Sequence, residues 1–248
     1  MQLRAENLRK RYGDVVALDG LSLQIPADTT FGVLGTNGAG KTTLFRLFVG
    51  LETPDAGSLS IGGRDVVEAG DQIRRQVGFL PERIGFPRRL TGREVLEFHC
   101  RMRGISTGER IDEAVETVGL TAKDARRAVQ GYSNGMRRRL GLAAAIVARP
   151  EVLILDEPTA GLDPKGVVEF HRIVRRARSL TGATVIVASH VLSEVERLCD
   201  RVAILDDGRT VAQGPVNRLT ADEPGGLEAV FLRAIGAADY VTETGEAA

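Results

Sequence analysis

The feature that most constrains the fold of this chain is a glycine-rich loop that ends in lysine and threonine. Residues 35–42 read GTNGAGKT, which matches the phosphate-binding loop pattern G-x-x-x-x-G-K-[ST]. The apolar run at 30–34 predicts a short strand before the loop, and residues 43–48 predict a helix after it. The motif therefore predicts a strand–loop–helix unit. The alternative is a glycine-rich turn that arises by chance, and the flanking strand and helix argue against it.

The residue types of this loop predict a site for a nucleoside triphosphate such as ATP. Glycines let successive backbone N–H groups point at phosphate oxygens, and the N-terminus of the following helix favours the same negative charge. Lys41 is expected to reach the terminal phosphates, and the Thr42 hydroxyl is expected to ligate Mg²⁺. The candidate nucleotide-binding residues are Gly35, Thr36, Asn37, Gly38, Ala39, Gly40, Lys41, Thr42 and Thr43.

Composition and charge argue against several classes of protein. The 248 residues include 33 Lys and Arg and 33 Asp and Glu, so no overall field attracts nucleic acid and no nucleic-acid partner is expected. Cys100 and Cys199 are far apart, which predicts a reduced, cytoplasmic protein. The first residues carry no apolar signal segment, and the apolar stretch at 140–148 is too short to span a bilayer. Any action at a membrane is therefore expected to need a partner protein.

Hydrophobic periodicity predicts an α/β fold. Loosely alternating residues at 3–10 and 17–25, with a further run at 57–63, predict strands. The apolar run at 77–80 predicts another short strand. From about 90 to 148 the period becomes helical, so a helical insert of about 85–148 is expected to interrupt an otherwise alternating strand–helix chain.

The second half of the chain predicts a parallel sheet. Continuous apolar runs at 152–155 and 184–188 are typical of strands that are buried on both faces. Asp163 followed by proline predicts the start of a helix between them. The remaining predictions are a hairpin at 202–212, a short helix at 224–235, a domain that spans 1–235 and a frayed tail at 236–248.

Two adjacent carboxylates follow the buried strand at 152–155. Asp156 is expected to hold Mg²⁺ beside the nucleotide, and Glu157 is placed to orient and deprotonate an attacking water. The structural alternative is a strand that simply meets a helix cap. The phosphate-binding loop upstream favours the functional interpretation.

Among the histidines, only His190 occupies a position that favours function. It follows the strand at 184–188, and ligands bind at the carboxyl ends of parallel strands. It is therefore a candidate contact of the γ-phosphate, and the alternative is a hydrogen-bonded structural histidine. His99 and His171 are interpreted as ordinary helix residues.

The run at 132–140, YSNGMRRRL, is ambiguous when taken alone. Serine and glycine at the start of a helix can bind an anion, but the simpler interpretation is a helix N-cap. The three arginines would likewise usually form a solvated face.

Taken together, these motifs resemble the nucleotide-binding subunit of an ABC transporter, over roughly residues 2 to 235. The resemblance rests on motifs in one order: Tyr12, the loop at 35–42, FLPE at 79–82, YSNGM at 132–136, LDEP at 155–158, AGLD at 160–163 and His190. It implies a P-loop NTPase fold of ABC type, with a RecA-like core, an antiparallel β lobe and a helical subdomain.

The resemblance also implies roles for individual residues. Tyr12 resembles the aromatic residue that stacks on adenine, although it could instead be a core aromatic. Ser133 and Gly135 resemble the residues that touch the γ-phosphate of ATP held by a second subunit, and Asp163 resembles a residue of the dimer contact. The resemblance implies a head-to-tail dimer that encloses two ATP molecules. The two copies are expected to be identical. Glu157, Lys41 and His190 would then be the catalytic base, the phosphate-binding lysine and the phosphate sensor.

This sequence departs from the family pattern in two motifs, at Glu82 and in the turn SNGM at 133–136. Glu82 stands where the family usually has a glutamine that ligates Mg²⁺ and senses the membrane partner, so Glu82 is a less certain metal ligand. Met136 replaces the last glutamine of the signature turn, and its hydrogen bonds are lost. Both departures resemble the group that works with ABC-2-type permeases, which are commonly exporters. Residues 79–94 also resemble the ATPase of nitrous oxide reductase maturation systems.

The sequence thus predicts an ATPase that drives transport through a separate permease. The expected direction of transport is export. Such a protein would lie on the inner face of the cell membrane. One rival is a soluble ABC ATPase of translation or iron–sulfur cluster assembly; translation-type members usually carry two ATPase units, and this chain has one phosphate-binding loop. The other is a DNA-repair ATPase, for which the segment between the loop and Asp156 is too short to hold long coiled coils.

Overall fold

The computed structural model describes residues 1–236 and shows a mixed α/β protein. The strands are β1 (Leu3–Tyr12), β2 (Val15–Ile25), β3 (Thr30–Gly35), β4 (Ala56–Ile61), β5 (Arg64–Asp65), β6 (Val77–Leu80), β7 (Val152–Asp156), β8 (Thr184–Ala188), β9 (Arg201–Asp206) and β10 (Arg209–Pro215). The helices are α1 (Lys41–Phe48), α2 (Gly70–Gln76), α3 (Gly92–Met102), α4 (Glu109–Thr117), α5 (Ala122–Ala125), α6 (Asn134–Ile146), α7 (Pro164–Thr181), α8 (Leu192–Leu198), α9 (Val216–Leu219) and α10 (Gly226–Ala234).

The chain divides into two units, which are described separately. The loop unit comprises Gln2–Glu68 and the chain from Ile186 onward. The helical unit comprises Met1 and Ala69–Val185.

The loop unit contains the predicted antiparallel β lobe. β1 pairs with β2 through a tight turn and with β4 on its other side, so the order is β2-β1-β4-β5. Leu3, Ala5 and Leu8 are buried along β1 while most of their neighbours are exposed, which is the alternation that predicted this strand. The two-residue strand β5 was not predicted, because it is too short to show a period.

The other strands of the loop unit carry the phosphate-binding loop. β3 runs parallel to β9, all its residues are buried, and β9 turns back into β10 through the predicted hairpin. Asp207 and Gly208 both have positive φ, at 44° and 72°, as a tight two-residue turn between twisted strands requires. A Cβ added to Gly32 would lie 2.4 Å from Val195 Cγ1, so α8 packs directly against β3.

The helical unit contains a parallel pair of strands, β6 and β7, whose register matches Leu80 with Leu155. The chain between them forms α3, α4, α5 and α6, which agrees with the predicted run of helices. Thr91 and Glu94 form the predicted capping box at the start of α3. The helix α4 ends before Gly119, whose φ of 69° makes it the stop that the sequence predicted.

Helix α6 lies unusually close to β6. A Cβ on Gly78 would be 2.3 Å from the Ala145 carbonyl oxygen, and a Cβ on Gly141 would be 2.6 Å from Leu80 Cδ1. Both positions therefore need glycine for this approach. From Leu140 to Ile146 every residue of α6 is buried, so this half of the helix is core and its first turns lie nearer the surface.

The remaining helices agree with the predictions only in part. Asp163 caps α7, and α10 corresponds to the predicted short helix. Helices α2, α5, α8 and α9 were not predicted, since each has at most seven residues and shows little period. The predicted tail lies, from residue 237, outside the described residues, and the domain boundaries stay a prediction. Within residues 1–236 no helix combines the length and apolarity needed to cross a bilayer.

Candidate functional site

The phosphate-binding loop joins the buried strand β3 to the start of α1. Gly38 and Gly40 have φ values of 90° and 98°, which side chains other than glycine rarely adopt. A Cβ on Gly40 would also lie 2.6 Å from the Ala17 carbonyl oxygen, so β2 leaves no room for one. The Ala39 N–H donates to the Thr36 carbonyl at 3.2 Å and closes a turn. The result is a strand–loop–helix unit of the predicted form.

Lys41 turns its side chain back over the loop. Its ammonium group donates to the carbonyl oxygens of Gly35 at 2.8 Å and Thr36 at 3.0 Å, and the residue is 7% exposed. These two bonds hold the ammonium group in place beside the glycine turn. Thr42 and Thr43 follow in the first turn of α1, where they are half-buried.

Tyr12 lies at the end of β1, close to the start of α1. Its hydroxyl contacts the Glu52 carboxylate, and its ring is 5.6 Å from Lys10 Nζ. Partial burial raises the pKa of the Tyr12 hydroxyl, and the Glu52 carboxylate raises it further, while a hydrogen bond with Thr43 opposes both. The ring is 41% exposed, so the alternative of a core aromatic is wrong.

His190 is placed beside the strand that enters the loop. It follows β8, it is exposed, and the preceding Ser189 donates its N–H to the Val33 carbonyl at 3.4 Å. The Ser189 hydroxyl is 1% exposed and accepts from the Val191 N–H at 3.0 Å, which fixes the turn that carries His190. Sequence analysis missed Ser189, although a polar residue between a buried strand and a histidine was an available signal.

The helical unit carries the two carboxylates that follow the buried strand β7. Asp156 is 1% exposed, and Glu157 is half-buried. Glu157 has a φ of 45°, in the left-handed region that a long side chain seldom occupies. Backbone strain of this kind persists where the surrounding structure imposes it, and it clusters at functional sites.

Glu82 belongs to the same edge of the helical unit. The β6–β7 register pairs Leu80 with Leu155, so the residues just beyond these two strands leave the sheet side by side. Glu82 is exposed there. The carboxylates of Glu82, Asp156 and Glu157 thus share one sheet edge.

The serine–glycine turn at 133–135 starts helix α6. The Ser133 hydroxyl accepts from the Met136 N–H at 3.2 Å, so the simpler interpretation of a helix N-cap is confirmed. A Cβ on Gly135 would be 3.8 Å from Leu162 Cδ2, which places this turn next to the loop before α7. Asp163 Oδ1 accepts from the Gly166 N–H at 2.6 Å and caps that helix. Ser133 and Asp163 are both exposed, so both caps face outward from the unit.

The predicted site residues thus fall into two groups. The loop unit holds Tyr12, residues 35–43 and His190, and the helical unit holds Glu82, Ser133, Gly135, Asp156, Glu157 and Asp163. Their roles towards a nucleotide stay predictions. His99 lies on α3 and His171 on α7, as predicted for ordinary helix residues.

The candidate metal ligands have the chemistry that Mg²⁺ prefers. Carboxylate and hydroxyl oxygens are hard ligands, and Mg²⁺ is usually held by one or two protein groups together with water and phosphate oxygens. Residues 1–236 contain no cluster of three or more His, Cys, Asp or Glu that could hold a metal ion without a nucleotide. The Asp156 carboxylate of the helical unit and the Thr42 hydroxyl of the loop unit are each oxygen donors of the kind that Mg²⁺ prefers.

Comparison with known proteins identifies the family. The family model for ABC transporters matches residues 18–160, which include the phosphate-binding loop, the serine–glycine turn and the β7 carboxylates. The chain belongs to the ABC transporter family. It is an ATP-binding protein of that family, and its enzymatic activity is ATP hydrolysis.

Relatives of this ABC ATPase are more than a third identical to it over the aligned residues. The daunorubicin resistance ATP-binding protein DrrA3 of Streptomyces coeruleorubidus is 42% identical over 94% of this chain and 74% of its own length. The linearmycin resistance ATP-binding protein LnrL of Bacillus subtilis is 36% identical over 97% and 81%. The bacitracin transport ATP-binding protein BcrA of Bacillus licheniformis is 38% identical over 88% and 71%.

Solved structures confirm the expected fold. An ATP-binding subunit of an ABC transporter superposes with a TM-score of 0.83, at 24% identity, over 94% of this chain and 99% of the other. The cbiO1 protein of Clostridium perfringens, part of the ABC transporter complex cbiONQ, superposes at 0.78 with 28% identity over 97% and 98%. The relatives found give no support to the resemblance with nitrous oxide reductase maturation ATPases; they are drug-resistance and bacitracin-transport ATP-binding proteins.

Proposed function

We propose that this ABC ATPase forms a homodimer that drives export of a small molecule through a separate ABC-2-type permease. The observation that carries the proposal is the loop at 35–42, where glycines at positive φ and the buried Lys41 ammonium form a ready cradle for phosphates. The proteins named above act in daunorubicin and linearmycin resistance and in bacitracin transport. Export by this chain follows from analogy with them.

In this proposal the loop unit binds the nucleotide. The loop N–H groups and the N-terminus of α1 bind the phosphate oxygens, and Lys41 exchanges its bonds to Gly35 and Thr36 for bonds to the terminal phosphates. The Tyr12 ring stacks on the adenine. His190, fixed by Ser189 beside β3, contacts the γ-phosphate.

The carboxylates of the helical unit supply the hydrolytic chemistry. Asp156 and Thr42 would each offer an oxygen to Mg²⁺, with Glu82 as a further donor, and the ion would supply charge neutralisation at the phosphates. Glu157 orients the attacking water and accepts its proton. Its left-handed φ of 45° aims the side chain differently from the strand residues before it.

The exposed caps of the helical unit complete the site in trans. Ser133 and Gly135 of one copy would contact the γ-phosphate bound by the other, and Asp163 would lie at the contact between copies. Hydrolysis would then be a property of the dimer. Each copy would lie on the cytoplasmic face of the membrane, held there by the permease.

Stacking by Tyr12 leads to a prediction about nucleotide affinity. Replacing Tyr12 by alanine should weaken ATP binding about tenfold or more, because stacking of a base on an aromatic ring is worth about 1–3 kcal/mol. Tyr12→Phe is the matched control: it keeps the ring, loses the hydroxyl that contacts Glu52, and should bind ATP nearly as wild type does. Titration calorimetry measures both. If the two variants lose affinity equally, the hydroxyl matters and the ring does not stack.

An apolar groove in the helical unit is a suitable place for the permease to dock. A cavity of about 370 Å³ is lined by apolar residues from the end of β6 and from α3, including Phe79, Leu80, Phe86 and Phe98. Phe98 is 57% exposed, and large exposed apolar side chains beside a groove mark interaction sites. Arg88 and Arg89 are exposed at the same segment, so the expected occupant is an amphipathic, acidic segment of the permease.

Docking in this groove predicts a specific loss of the complex. Phe98→Glu should lower co-purification of the permease about tenfold or more, because it puts a carboxylate into an apolar groove and beside an acidic partner. Met102→Glu is the control: Met102 lies on the same helix and is 72% exposed, but it does not line the groove. ATP hydrolysis by the isolated ATPase should be the same in both variants. Equal losses in both would place the permease elsewhere.

The proposed function is tested by isolating the protein with its membrane partner. The tagged chain should be purified from detergent-solubilised membranes and reconstituted with the membrane protein that co-purifies. ATP-dependent movement of a hydrophobic drug out of the reconstituted compartment supports the proposal. Recovery of ribosomes or a soluble scaffold, with no multi-helix membrane protein, would overturn it in favour of a soluble ABC ATPase.

A further inference from the structure

The sheet edge formed by β6 and β7 carries an excess of negative charge. Glu82, Asp156 and Glu157 leave two parallel strands whose register is fixed by the pair Leu80–Leu155. Carboxylates at such an edge repel one another, and the cost is larger for a side chain as buried as Asp156, which is 1% exposed. Glu82 is exposed, so it adds a third negative charge to the buried Asp156 and the half-buried Glu157. A nearby positive charge is therefore needed when no metal ion is bound.

Arg138 is the arginine that faces this edge. It lies on α6 three residues before Gly141, on the same side of the helix as the close approach to Leu80. Leu80 is two residues before Glu82. Since α6 approaches β6 closely at Gly141, Arg138 is brought to the end of β6.

The contacts of Arg138 also point to the β7 edge. Its Nη2 donates to the Ala160 carbonyl at 3.3 Å, in the turn that follows Glu157. Its Nη1 is buried and has no hydrogen-bond partner among residues 1–236. Partial burial lowers the pKa of the guanidinium, and the charges of Glu82, Asp156 and Glu157 act in the opposite direction. The Arg138 guanidinium is thus within electrostatic range of all three carboxylates.

The neighbouring arginines make different contacts. Arg137 Nη1 donates to Asn134 Oδ1 at 3.1 Å, within its own helix. Arg139 Nη1 donates to the Gly119 carbonyl at 3.0 Å, and its Nη2 pairs with Glu169 at 2.7 Å. The triple arginine is therefore not a uniform solvated face, because its central member turns inward.

We propose that Arg138 is a positioning residue that balances the charge of Glu82, Asp156 and Glu157 and holds the Glu157 turn through the Ala160 carbonyl. It also joins this edge to the helix that starts at Ser133. Mg²⁺ held by these carboxylates would supply positive charge at the same edge, so it would compete there with the charge of Arg138. The helix that carries the serine–glycine turn is thereby made sensitive to the loading of the site.

This inference rests on the proposed roles of Asp156 and Glu157. Its test asks whether a substitution at Arg138 raises or lowers the effect of Mg²⁺ on the affinity for ATP. The affinity for ATP is measured by calorimetry with Mg²⁺ and with a chelator, and the ratio of the two affinities reports metal preference. Arg138→Gln should raise this ratio severalfold, because a competing positive charge is gone, and should lower kcat about tenfold with a KM for ATP within about twofold of wild type. Arg137→Gln, one residue away, should change none of these values.

Removing the negative charge of Glu82 should compensate for the loss of the positive charge of Arg138. The double variant E82Q/R138Q removes one negative and one positive charge, so it should restore the affinity ratio and most of kcat; it also keeps the test open if R138Q alone folds poorly. A ratio in R138Q that equals that of R137Q, or one that falls, would overturn the proposal, since a merely misplaced Asp156 binds metal more weakly. Absence of ATP hydrolysis in the wild-type dimer would instead be a failure of the proposed function.

Discussion

Replacing Glu157 by glutamine is expected to lower the kcat for ATP hydrolysis by about 10²–10⁴-fold while ATP still binds. A positioned general base contributes a factor of this size, and glutamine cannot accept the proton of the attacking water. The amide keeps the size and shape of the side chain, so the strained backbone at φ 45° is disturbed little. Phosphate release gives kcat, and calorimetry gives the affinity for ATP.

The same strand offers a control for this variant. Glu151 is exposed and precedes β7 at its opposite end, so Glu151→Gln removes an equal charge far from the carboxyl edge and should hydrolyse ATP as wild type does. Turnover by Glu157→Gln within a few-fold of wild type would remove Glu157 from the role of base. Loss of ATP binding together with turnover would mean that the residue shapes the site and is not its base.

Much of the fold could be predicted because most of its helices, strands and turns depend on residues that are close together in the sequence. The phosphate-binding loop is fixed by glycines that need positive φ at 38 and 40, and this need shows in the sequence. The capping box of Thr91 and Glu94 and the hairpin turn at 206–208 are equally local. Strands buried on both faces, such as β7, appear as unbroken apolar runs.

The features that sequence reasoning missed depend on tertiary contacts. Arg138 was read as part of a solvated face, because the helical period does not reveal that Gly141 allows α6 to approach Leu80. The contact of Ser189 has no local signal in the sequence, because its buried hydroxyl is explained only by the hydrogen bond that it accepts from the Val191 N–H. The left-handed backbone of Glu157 likewise has no local signal, since glutamate is a poor residue for that conformation.

Completion of the site by a second copy predicts that a single charge at Ser133 prevents dimer formation. Glu157→Gln should trap ATP and therefore accumulate as an ATP-dependent dimer, and adding Ser133→Asp to it should abolish that dimer. A carboxylate about 4 Å from a phosphate charge costs about 4 kcal/mol at an effective dielectric constant of 20, which is about 10³-fold in affinity at each site. Size-exclusion chromatography with light scattering, in ATP and in ADP, measures the change.

Because Ser133 is a helix N-cap, two substitutions there can distinguish the effect of added charge on dimer formation from an effect on folding. Asp and Asn are as good at an N-cap as Ser, so either variant can replace the hydroxyl that accepts from the Met136 N–H, and α6 should start at the same residue. Only Asp adds a negative charge, so E157Q/S133N should still dimerise with ATP while E157Q/S133D stays monomeric. If both double variants dimerise equally, the serine turn lies away from the triphosphate, and ATP does not join the two copies through it.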